Sequence, residues 1–107
     1  MSLRLTKPWI PIGHALHRLH GHLGIFQLAN AEGETIYIGY AGAKGKFGLK
    51  AAVTDAAQEM TAATQVRVEI TTAYHTRFRE LLMLHVADHG QLPAGNPPIR
   101  LGKLSPV

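Results

Sequence analysis

Cysteine is absent from the chain, which excludes disulfides and any thiolate-held metal. A cysteine-free chain fits a reducing compartment, so a cytoplasmic protein is expected. Long apolar runs are absent too. No stretch approaches the ~20 residues that a membrane-spanning helix needs, so no membrane partner is expected. Residues 1–9 carry Arg4 and Lys7 but neither an apolar run nor a small-residue cleavage site, so no secretory leader is expected there. Internal repeats and low-complexity tracts are lacking, which excludes solenoids and arrays. Acidic residues are scarce: seven Asp and Glu stand against eleven Lys and Arg, a net charge of +4. That excess suits a polyanionic partner such as nucleic acid, and equally a basic surface kept for solubility.

What is present is a 107-residue chain, 46% hydrophobic. That is enough for one core and one domain. Residues 1–22 read as an arm made irregular by Pro8 and Pro11, with Trp9 and Ile10 against the core and a short helix over 13–21. Leu23 to Ala29 is an apolar strand candidate. Asn30-Ala31-Glu32-Gly33-Glu34 is a polar loop of hairpin length, and Thr35 to Tyr40 returns as a β-branched and aromatic strand. Ala41 to Gly48, with three glycines and two lysines, is a loop. Its glycines admit a phosphate cradle before a helix, although the spacing is not that of a P-loop.

From Leu49 the period becomes helical: Leu49, Ala52, Val53, Ala56 and Met60 share a face. Gln65 to Thr71 then alternates, Val66, Val68 and Ile70 inward against Arg67, Glu69 and Thr71 on a wet face. Thr72 is placed to cap a second helix that runs to about His89 and stops at Gly90. The main domain thus spans 23–98, and 99–107 is a short basic tail expected to be poorly ordered. The fold class is α+β: a three-stranded antiparallel sheet flanked by helices, in the order (α)-β-β-α-β-α.

The second helix carries Glu80 next to the run Leu81-Leu82-Met83-Leu84-His85-Val86-Ala87. A run this apolar predicts cover on more than one side. A carboxylate at its edge needs a partner. Two readings stand: an ion pair with Arg77 or a strand arginine, or a ligand to a hard cation such as Mg²⁺.

Gly24-Ile25-Phe26, a hairpin, Tyr37-Ile38-Gly39, a helix, a strand, a Glu-bearing helix and Pro93-Ala94-Gly95-Asn96 together resemble the GIY-YIG nuclease domain. The resemblance covers roughly residues 23–96. It implies nucleic acid as partner and phosphodiester cleavage with one Mg²⁺ or Mn²⁺ ion held by the helix glutamate. It implies Tyr37 as base or water-orienting group and Glu80 as metal ligand, with Asn96 as the closing asparagine. Two positions depart from the pattern. Phe26 replaces the first tyrosine and has no hydroxyl, which leaves Tyr40 as a substitute phenol. The arginine expected after the second tripeptide is missing. Lys50 is the choice for its phosphate-steadying role, with Lys44, Lys46, Arg77 and Asn96 as further substrate contacts. A non-catalytic binding domain that keeps the fold is the alternative these departures support. Dimerisation would help so small a domain.

Seven histidines are many for this length. His14, His17, His20 and His22 cluster before the hairpin, and His85 and His89 are one helical turn apart. Spacing of this kind admits zinc, packed neutral histidines, or a proton acceptor among the first four.

Overall fold

The fold, obtained as a computed structural model, describes residues 5–42 and 48–97. Along the chain run β1 (Ile10–Pro11), α1 (Ile12–Arg18), β2 (Gly24–Ala29), β3 (Thr35–Ala41), α2 (Gly48–Glu59), β4 (Gln65–Ile70) and α3 (Tyr74–His89). The strands form one antiparallel sheet in the order β1-β4-β2-β3. The class is α+β, as expected, but the sheet has four strands rather than three. The extra one comes from the arm. Ile10 and Pro11 pair with Val66 and Gln65 at the outer edge of β4. Proline cannot donate to a ladder, and an edge strand of two residues tolerates that loss.

The hairpin is held at its loop by Asn30. Its Oδ1 accepts from the backbone N–H groups of Glu32 (3.1 Å) and Glu34 (2.9 Å). An Asx side chain does this because it mimics a backbone turn. β2 lies in the centre of the sheet, flanked by β3 and β4, and all six of its residues are buried. Both faces of the sheet are covered. Phe26, Leu28 and Val66 pack with Ala15 and Leu19 of the α1 region and with Leu49, Val53 and Ala56 of α2. Ile25 and Ile38 pack with Leu5 and with Leu81 and Leu82 of α3.

This two-sided cover corrects the wet face expected for β4. Arg67 and Glu69 are half-buried, and Ile70 at the strand end is 58% exposed. It also bears on α3, where only Leu81 and Leu82 of the apolar run are fully buried. The helix therefore rests on the sheet along one main face. Ala73, not Thr72, is its N-cap, and no side chain caps it. The Thr71 hydroxyl instead accepts from the Ala73 N–H at 3.1 Å. Gly90 ends the helix in the left-handed conformation, φ 79°, where glycine has no Cβ penalty.

Gly39 and Gly48 each allow a close approach. A Cβ on Gly39 would lie 2.5 Å from Phe26 Cζ and 2.8 Å from Tyr37 Cε2, so two aromatic rings cover the strand where a side chain would stand. Gly48 begins α2 at φ +69°, and a Cβ there would strike the backbone of Gly21. That crossing lets the His22 and His20 carbonyls accept from the N–H groups of Leu49 (2.9 Å) and Lys50 (3.2 Å). Two of the first-turn donors that a phosphate cradle at α2 would use are thereby engaged.

Candidate nucleic-acid interface

Strand periodicity decides where the two tyrosines go. Tyr37 and Tyr40 are three residues apart on β3, so their side chains leave opposite faces of the sheet. Tyr37 packs against Phe26, ring centroids 5.9 Å apart, on the side covered by α1 and α2. Burial pushes its phenol above the ordinary value. The Glu59 carboxylate and, less strongly, the Tyr40 phenol act in the same direction. A phenol moved that way is harder to deprotonate near neutrality, which is the wrong direction for a general base.

Glu80 belongs to the other side. It sits on α3, 3.7 Å from Arg77 Nη1. Arg77 is also bound by the strand carboxylate: its Nε–H is shared by Glu69 Oε2 at 3.0 Å and Oε1 at 3.2 Å. A guanidinium thus stands between two carboxylates, one from the strand and one from the helix. The residues at Glu80 thus form an arginine clamp. Among the described residues, no group of three or more His, Asp or Glu side chains gathers to hold a metal ion.

The remaining expected residues scatter. Lys50 is exposed on α2, beside a shallow pocket lined by His20, Thr54 and Asp55. Lys44 and Lys46 lie outside the described residues. Asn96 is bound to the sheet edge: its Oδ1 accepts from Ile38 N–H and its Nδ2 donates to Ile38 C=O, both at 2.9 Å. Gly95 N–H adds a bond to Ile36 C=O at 2.7 Å. The 95–96 segment therefore blunts the outer edge of β3. His14, His17 and His20 are exposed. The rings of His20 and His22 lie 6.0 Å apart.

Tyr40 does find partners, in a cluster that the sequence reading did not assemble. Its ring is stacked on Tyr74, centroids 5.8 Å apart with 12° between planes. His75 and Phe78 each approach it to 4.9 Å. Tyr40 is 39% exposed and His75 is exposed. Gly42 contributes by its smallness, since a Cβ there would meet Tyr74 Cε1 at 2.7 Å. The signal in the sequence was the i, i+1, i+4 set Tyr74, His75 and Phe78 at the start of α3. What it lacked was the knowledge that the end of β3 lies beside it.

The result is an aromatic platform at one end of the sheet, close in sequence to Arg77 and the exposed Arg79. Such rings offer flat apolar faces that any nucleobase can cover. None of the helices among the described residues is long and apolar enough to cross a membrane.

The chain belongs to a family defined by a domain of unknown function, DUF7508, whose model matches residues 1–88. The match takes in the sheet, α1, α2 and nearly all of α3. No curated protein matches the chain.

Proposed function

We propose that this chain is a GIY-YIG-like domain that binds single-stranded nucleic acid and does not cleave it. The order of elements supports the likeness: a hairpin carrying Gly24-Ile25-Phe26 and Tyr37-Ile38-Gly39, then helix, strand, a helix with Glu80, and Asn96 after it. The observation that carries the binding reading is the part-exposed platform of Tyr40, Tyr74, His75 and Phe78 on a chain of net charge +4. Stacking on such rings contributes about 1–3 kcal/mol per base without regard to sequence, and the net positive charge attracts the backbone.

The absence of cleavage is argued from the two phenols and Glu80: Tyr40 shares the α3 side with Glu80 but is engaged in the ring cluster with Tyr74, His75 and Phe78. Tyr37 and Glu80 lie on opposite sides of the sheet, and Glu80 is turned to Arg77. A phenol and a metal-holding carboxylate must reach the same phosphate to act on it. The test is incubation of the purified protein with plasmid and single-stranded DNA in Mg²⁺ or Mn²⁺. Intact DNA retained by the protein is the expected result. Nicking that Glu80→Ala abolishes would replace this reading with the nuclease one.

A further inference from the structure

Away from the aromatic platform, between the C-terminal half of α3 and the sheet, lies a cleft of about 250 Å³. Gln27 and Arg67 line it from the strands, Leu81, Leu84 and His85 from the helix, and Leu5 from the arm. Gln27 and Arg67 are cross-strand neighbours on β2 and β4. Gln27 is a polar residue in the centre of the sheet, only 6% exposed.

The hydrogen bonds of this pair are incomplete. Arg67 Nε donates to Gln27 Oε1 at 2.7 Å, and Nη1 donates to the Lys7 carbonyl at 3.3 Å. The Trp9 ring lies 4.1 Å from the guanidinium carbon. Among the described residues no carboxylate pairs with Arg67, and nothing accepts from the Gln27 Nε2 group. A guanidinium has five N–H donors, so most of those of Arg67 remain unspent. Burial lowers the Arg67 pKa from its ordinary value, as expected for a cation drawn out of water without a counter-ion.

A half-buried cation and a buried amide, both with donors to spare on one cleft, ask for negatively charged oxygen. His85 adds a third polar group. Its Nδ1 meets the Gln91 carbonyl at 2.9 Å, so Nδ1 carries the proton, and Nε2 donates to an anion only in the imidazolium form. Asp88 also lines the cleft and has an interaction of its own. The volume falls below the roughly 300 Å³ at which pockets for drug-sized ligands begin, which limits the occupant to a small acid or ion.

We infer that this cleft is a binding site for a small oxyanion, a carboxylate or phosphate group received by Arg67 and the Gln27 amide with His85 on the facing helix. It is independent of the nucleic-acid reading, because the platform residues take no part in it.

The experiment is an NMR titration of the isotope-labelled chain with inorganic phosphate and, separately, with acetate. Chloride at matched ionic strength is the control, and the Gln27 side-chain amide and Arg67 Nε–H signals are followed. Saturable shifts with an apparent Kd of about 1 mM or tighter are expected, with none from chloride. Response to phosphate alone identifies a phosphoester or phosphate as the source, and response to acetate alone a carboxylic acid. Arg67→Gln should weaken binding about tenfold or more, the effect of losing a charge-assisted bond. His85→Leu leaves the strand pair intact and serves as the second variant should Arg67→Gln not fold; it too should weaken binding. Unsaturable shifts, equal shifts from chloride, or folded variants that bind as the parent does would overturn the assignment.

Discussion

Asn96 spends its whole side-chain amide on one residue: Ile38 donates to its Oδ1 and accepts from its Nδ2, both at 2.9 Å. The asparagine acts as a short piece of strand against the free edge of β3. Asn96→Ala removes both bonds and exposes an edge that can pair with another chain. At about 0.5–1.5 kcal/mol per bond, the loss is about 1–3 kcal/mol. Denaturant unfolding should show that loss, and nucleic-acid affinity at low temperature should be unchanged.

Gly39 is covered by Phe26 and Tyr37. Gly39→Ala should destabilise the fold by about 1–3 kcal/mol, the usual range for overpacking a filled core. Phe26→Leu returns the space, so the double variant should lose less than the sum of the two single losses. A double-mutant cycle in denaturant reads this directly.

Tyr37 titrates above the ordinary phenol value of 10.0 because it is buried. The unfolded chain therefore gives up that proton first as the pH rises. Below pH 10 the buried phenol costs nothing in this balance. From there upward the unfolded state is favoured increasingly, until the folded phenol also ionises. Tyr37→Phe should flatten the alkaline decline in melting temperature, and the phenolate absorbance of the parent should gain one late-titrating tyrosine.

Arg77 and Glu80 should differ sharply in weight. Arg77 is 13% exposed at the side chain and holds Glu69 as well as Glu80. Removing it leaves a half-buried strand carboxylate without its cation, at a cost of about 1–3 kcal/mol. Glu80 is 36% exposed and 3.7 Å away, so Glu80→Gln should change stability by less than about 1 kcal/mol. Thermal melts of the two variants decide it.

Much of the fold was legible because period and punctuation agree. The hairpin follows from two β-rich runs around Asn30 to Glu34, α2 from the helical repeat of Leu49, Val53 and Ala56, and the stop of α3 from Gly90. β1 was not legible. Two residues, one a proline, carry no periodicity, and their pairing with Val66 is a tertiary contact. The wet face assigned to β4 failed because alternation distinguishes two faces without saying whether a helix will cover the polar one.

The candidate site divides in the same way. That Tyr37 and Tyr40 lie on opposite faces was available from the two-residue period of a strand. The stacking of Tyr40 on Tyr74, and the meeting of Gln27 with Arg67, depend on register and helix placement. Neither is written in local sequence.

The measurement closest to the central claim is the affinity of a fluorescent single-stranded oligonucleotide for the parent and for Tyr40→Ala, taken by anisotropy over a salt series. The parent should bind with an affinity that falls linearly in log–log form as salt rises. Tyr40→Ala should bind more weakly by about 1–3 kcal/mol, with an unchanged salt slope, because it removes a stacking face and no charge. No salt-dependent binding by the parent, or equal affinity in a folded Tyr40→Ala variant, would contradict the account.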